Sequence, residues 1–250
     1  KRSLDEFGRV MSSRIPALTG GLSGTGAGVI HPMQSSELRR VVRTAYDPAA
    51  DALFDEATLT GQTVDLPWSE CGPTAADAQW DHYKHDSGES VTWMMTRAPA
   101  GSVQSSVLKQ LLAPHESIVR KRVALMYRPV SMGRTAQIVE ADLNAASSRA
   151  NNMSRVSARA MTDVAKARKS SEEEASGAGV ENFGLIITAT ALDDKDLPLV
   201  ESTVEDLSAA SRLRIRKAFG AQDAAFAAGL PVGIVPVLHS EVSPEVRAAL

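Results

Sequence analysis

The 250-residue chain contains a single cysteine, Cys71, so no disulfide can form within it. That composition fits a reducing compartment. Aromatic residues make up only 4%, and there are three tryptophans in all. No apolar run approaches the roughly 20 residues of a bilayer span; the most apolar stretch, residues 184–192, is far shorter. No secretory leader is visible at the start. Cations are not in excess either. Lys and Arg number 27 against 30 Asp and Glu, for a formal net charge of −3. Whole-molecule attraction to nucleic acid is therefore not called for. No G-x-x-x-x-G-K-[ST], G-x-S-x-G or H-E-x-x-H motif occurs.

What is present suits a folded domain: 43% apolar and 23% charged residues, enough for a substantial core. The most informative stretch is WDHYKHDSGESVTWMM, residues 80–95. It reads as an aromatic β-hairpin. Trp80, His82 and Lys84 alternate with Asp81, Tyr83 and His85, and residues 86–89 supply the turn, with Gly88 free to adopt positive φ. Trp80, Tyr83 and Trp93 are expected to pack as cross-strand or core aromatics.

Before the hairpin, residues 19–28 (TGGLSGTGAG) read as a flexible linker. A helix is expected over 36–46, and a second opened by Asp47 as cap and Pro48 as first helical residue. Residues 58–75 read as a loop. After the hairpin, a helix over 102–112 is capped by Ser102 and stopped by Pro114, and a strand over 120–127 is ended by Pro129. Residues 131–176 form a long alanine-rich helical region broken near Asn151 and Asn152. A buried strand covers 182–191, and a helix over 196–211 places Leu197, Val200, Val204 and Leu207 on one face. Residues 212–216 alternate as a half-exposed strand, Gly220 breaks it, and a short helix covers 221–228. A last helix is expected from Ser243 and Pro244. The series predicts an α/β (α+β) fold: a mixed β-sheet with helices packed against it, opened by the aromatic hairpin. The expected organisation is a linker and short helix over 1–45, a scaffold domain over 46–233, and a tail over 234–250.

Candidate chemistry is sparse. Gly24, Gly26 and Gly28 resemble a phosphate loop, but the strand before it and the helix directly after it are missing, so linker is the better reading. His82 and His85 lie three apart and diverge on a strand, which disfavours a metal site with Cys71. Ser106 and Lys109 match S-x-x-K without its partner motifs. No catalytic residue, metal site or cofactor is expected. Two basic clusters remain as candidate interaction surfaces. In residues 148–169, Arg149, Arg155, Arg159, Lys166, Arg168 and Lys169 face only Asp163, and Glu172 to Glu174 follow. Arg212, Arg214 and Arg216 form a second stripe. The ordinary reading is a solvated helix and a charge-guarded edge strand. The functional readings are anionic lipid, an acidic partner or nucleic acid.

In order, the segments WDHYKHDSGESVTWMM, RKRVALMYRP, AQIVEADLNAA, FGLIITATA and RKAFGAQDAAFAAGLPVG resemble the soluble domain of EccE-like components of actinobacterial type VII secretion and their relatives in conjugative elements. The C-terminal helix and its Leu-Pro ending are also similar to the non-ATPase N-terminal part of VirB-type conjugation ATPases of type IV secretion. The resemblance implies transmembrane helices upstream of Lys1, as does the missing initial Met. It further implies a domain on the cytoplasmic side of the membrane, docked in a complex with other machine subunits including a membrane ATPase. The expected function is a non-catalytic assembly subunit of a secretion or conjugative transfer machine. The alternatives are a nucleic-acid-binding accessory protein of a conjugative element and a nucleotide-dependent enzyme.

Overall fold

The structure, a computed structural model, describes residues 3–23, 28–99, 103–152, 157–177, 179 and 181–234, with the backbone alone at Pro129, Met132 and Arg159. Three helices come first: α1 (Leu4–Leu22), α2 (Ser35–Tyr46) and α3 (Ala50–Leu59). The strands are β1 (Ala76–Ala78), β2 (Tyr83–His85), β3 (Gly88–Arg97), β4 (Arg120–Pro129), β5 (Glu181–Ala191) and β6 (Arg214–Lys217). Between and after them lie α4 (Lys109–Leu112), α5 (Met132–Asn151), α6 (Ala158–Ala175), α7 (Leu197–Ala210) and α8 (Gln222–Ala228).

The α+β class is as the sequence predicts, but the sheet is not mixed: each of its pairings is antiparallel. The central order is β4-β5-β3-β6, with β2 sharing β6's side of β3 further back along that strand. Two interleaved units, β3-α4-β4 and β5-α7-β6, therefore make a split βαβ core. The α5–α6 hairpin is inserted between its halves.

Alternation along β3 and β5 builds two different cores. Val91, Trp93, Leu185, Ile187, Ala189 and Ala191 face one way and pack with Leu111 of α4 and Val200 and Val204 of α7. Ser90, Thr92, Thr188 and Thr190 face the other way, each nearly inaccessible. This hydroxyl face is covered by α8 and α2, through Phe226, Val42 and Ala45. The hydroxyls satisfy one another across the strands: Ser90 Oγ and Thr190 Oγ1 lie 2.7 Å apart, and Thr92 Oγ1 and Thr188 Oγ1 3.1 Å. Gln222 of α8 closes the layer by accepting from the Thr92 amide at 2.8 Å. A buried polar layer is tolerable only when its members are paired in this way.

Several local expectations are corrected. Residues 4–22 are helical, so α1 occupies the start of the expected linker; its N-cap Ser3 accepts from the Glu6 amide. Residues 24–27 of the glycine segment lie outside the described residues, as do Ser102 and the expected terminal helix. Helix α3 starts at Ala50, and its first turn takes no side-chain cap from Asp47, whose carboxylate is held by Arg43 and the Ser87 hydroxyl. The helix expected over 102–112 is reduced to α4. Bonds from Val107 N to Gln104 O and from Lys109 N to Ser106 O are turn bonds that precede it. Strand β4 runs past Tyr127 and ends on Pro129 as its last residue; β4 is an edge strand, where a missing N–H is harmless. Arg212 lies outside β6, at φ 56, because the chain reverses there to bury Leu213. Strand β1 has no counterpart in the sequence reading.

The hairpin turn is tighter than expected. His85 pairs with Gly88, so Asp86 and Ser87 alone make the turn, and Asp86 takes the left-handed conformation at φ 36. Its carboxylate fixes that geometry by accepting from the Thr74 and Ala75 amides and from Arg43. Gly88 is in the strand at negative φ. Trp80 precedes β2, is 70% exposed and is not a core residue, whereas Tyr83 and Trp93 are buried as expected.

Candidate interaction surfaces

Helices α5 and α6 pack on each other and stand clear of the sheet. Thr135, Val139, Ala146 and Ala150 form the buried seam. At about 1.5 Å per residue the longer helix extends about 30 Å. The first basic cluster is thus not on one helix. Arg149 lies on α5, Arg159 and Lys166 lie on α6, and Arg155 is outside the described residues. Both signs occur along each helix: Arg149 and Arg159 lie nearest the distal turn, Asp142, Asp163 and Lys166 follow, and Arg168, Lys169 and Glu172 to Glu174 lie toward the sheet end, where Glu173 meets Lys169 at 3.6 Å. Arg149 and Lys166 are exposed.

Of the second cluster, Arg214 and Arg216 are exposed on β6, and Lys217 turns inward to Glu201 of α7 at 2.6 Å. The structure adds what the sequence reading missed. Trp80 stacks on Phe219, with centroids 6.2 Å apart and planes 25° from parallel, and Arg216 lies 5.9 Å from the Phe219 ring. Gly220, at φ +71, lets the indole settle: a Cβ there would lie 2.6 Å from Trp80 Cζ3. The Gly220 amide donates to the Trp80 carbonyl at 2.7 Å. These residues lie far apart in sequence, and only the glycine beside Phe219 could have hinted at the approach.

Helix α1 carries a third surface. Leu4, Phe7, Met11, Ile15 and Leu18 are spaced three, four, four and three, one face of a helix that holds Pro16 in its interior. All are exposed, Phe7 at 55% and Leu18 at 60%, and no residue of α1 is buried. No helix among the described residues is long and apolar enough to cross a membrane.

The histidines and Cys71 do not converge. Cys71 is buried, with its thiol directed at the Pro67 carbonyl and its pKa raised by burial. His82 sits between Asp81 and Glu89, at 2.9 and 3.1 Å. His85 is enclosed. Its Nδ1 lies 2.5 Å from the Tyr46 carbonyl, an acceptor only, so Nδ1 carries the proton and Nε2 accepts from the Ser90 hydroxyl at 2.7 Å. Burial first, with the nearby charge of Arg122, holds the imidazole below its ordinary pKa. A Ser–His pair at this distance can activate a nucleophile. Here Ser90 is fully inaccessible, so the pair is an internal polar strut. Ser106 and Lys109 are both exposed, Ser106 in a turn and Lys109 opening α4.

Fold and surfaces together define an antiparallel split βαβ domain that presents a helical hairpin and an amphipathic helix. No protein-family model matches the sequence, and no curated protein matches it at a significant level.

Proposed function

We propose that the chain is a non-catalytic docking module of an EccE-like or related conjugative machine, held at the cytoplasmic side of a membrane and assembled with other subunits, including a membrane ATPase. The observation that carries this reading is the exposed apolar face of α1. Leu4, Phe7, Met11, Ile15 and Leu18 would each release water on entering a partner groove, the usual logic of helix-in-groove recognition. The α5–α6 hairpin supports it as a second element that stands off the core, with exposed cations, Arg149 and Lys166 among them, that suit an acidic subunit or an anionic membrane. The test is genetic and biochemical. Phe7→Glu with Met11→Glu should leave the domain folded, release it from the detergent-extracted machine and stop substrate transfer. Transfer that proceeds normally in a deletion strain would defeat the reading.

A second reading has one specific observation behind it. The Trp80–Phe219 pair beside Arg216 offers stacking and phosphate contact together, the combination used on single-stranded nucleic acid. Quenching of Trp80 fluorescence by an oligonucleotide, lost in Arg216→Glu and weakened by salt, would favour it.

A further inference from the structure

Arg122 of β4 holds a cation without a counter-ion among the described residues. Its guanidinium lies over Phe226, 4.3 Å from the ring centroid. Nε and Nη2 are shut off from solvent and have no hydrogen-bond acceptor among the described residues. Burial pushes its pKa down to about 10, so it remains charged near neutral pH. Three carboxylates of the preceding segments are committed elsewhere. Asp51 is held by Arg40 and Arg120, Asp86 by Arg43, and Asp47 by Arg43 and Ser87. Enclosed donors on a charged group are expensive to leave unmade.

Beside this group is a hollow of about 450 Å³ between α2, the chain before β4, and β4 itself. Arg122, Lys121 and Arg120 contribute cations to its wall, and Thr44 and His115 contribute polar groups. Ala45 and Ile118 line it with apolar surface. Lys121 already donates to the Ala113 carbonyl at 2.8 Å, and Arg120 is paired, which leaves Arg122 as the cation in need of a ligand. A second hollow, of about 550 Å³, also touches Arg122 but is otherwise walled by β4 and residues 228–234 with little charge. The polar groups favour the first.

We propose that the hollow between α2 and the start of β4 binds a small organic anion, its phosphate or carboxylate head taken by Arg122 and its apolar body lying against Ala45 and Ile118. The size is that of a small-molecule site, and a guanidinium offers paired donors to either head group. The ligand is distinct from any macromolecular partner of α1.

The full chain should be titrated with inorganic phosphate, phenyl phosphate, acetate and benzoate while the Arg122 Nε–H resonance is followed by NMR. Phosphate against acetate identifies the head group, and each aryl compound against its simple counterpart tests the apolar wall. The expected result is a saturable shift of the Arg122 signal, with one aryl anion binding about tenfold or more tighter than its simple counterpart. Arg122→Met should abolish the shift of unfolding temperature by that anion while keeping the fold, and Arg122→Lys should weaken it about tenfold. No shift of the Arg122 signal at about 10 mM anion would overturn the proposal. So would an Arg122 signal unmoved by anions but displaced by Glu241→Gln or Glu245→Gln, which would assign its partner to the chain's own C-terminal segment.

Discussion

The imidazole of His85 closes over Gly88: a Cβ built on that glycine would lie 2.9 Å from His85 Cε1, 3.0 Å from Thr190 Cγ2 and 3.1 Å from Pro48 Cγ. Three walls converge on one hydrogen atom. Gly88→Ala should therefore cost about 1–3 kcal/mol through overpacking, although its φ is ordinary. Chemical denaturation checks this; an unchanged midpoint would mean that β3 can slide away from α2 without loss.

His85 should make stability depend on pH. Its folded-state pKa is depressed, chiefly by burial, from the ordinary 6.5. Below about pH 6.5 the unfolded chain takes up a proton that the folded chain refuses. The stabilisation is thus complete above that pH and declines as pH falls toward the folded value. Asp51 and Asp81 have depressed pKa values as well, from hydrogen bonds to Arg40 and Arg120 and to His82. Their contribution is lost in a separate, more acidic window, below their ordinary 3.8. His85→Gln should flatten the fall in melting temperature between about pH 7 and pH 5.5. NMR titration should find the His85 imidazole protonating below its ordinary value, and an ordinary titration near 6.5 would refute its enclosure.

Trp93 is the largest fully buried side chain, and its indole N–H has no acceptor among the described residues. Trp93→Ala should cost about 3–5 kcal/mol by opening a cavity between β3 and α7. Trp93→Phe should cost much less, because the group removed includes an unpaired donor. Equal losses from the two substitutions would imply that the N–H is satisfied.

Trp80 should behave in the opposite way. With the indole mostly exposed, Trp80→Ala should cost only about 1 kcal/mol. Gly220→Ala should displace the ring from Phe219, both by collision and by the residue's φ of +71, and should shift the Trp80 emission. An unaltered emission spectrum would show that the stack does not depend on Gly220.

The sequence was most legible where one pattern had one physical cause. Helix α7 follows from the spacing of Leu197, Val200 and Val204, and the break between α5 and α6 from the paired asparagines. The aromatic hairpin pattern identified β3 but could not show that Ser90 and Thr92 are as buried as Val91 and Trp93. A hydroxyl reads as solvent-facing unless its partner strand and Gln222 are already in place. The turn was misread because glycine suggests positive φ, whereas three carboxylate contacts hold Asp86 there. The surfaces were less legible still. Arg214 and Arg216 could be picked out by charge, but Trp80 joins them only through tertiary approach. Arg122 passed for part of an ordinary strand because nothing local reveals that its guanidinium is enclosed over Phe226 with Nε and Nη2 unpartnered among the described residues.

The most direct test of the docking account is site-specific photo-crosslinking in the native host, with the reactive group placed at Phe7 or Leu18 on α1 and, as a control, at exposed Leu199 on α7. The account predicts efficient crosslinks from both α1 positions to an identified subunit of the transfer machine, and none from Leu199. Substrate transfer that proceeds while neither α1 position reaches any machine subunit would contradict it.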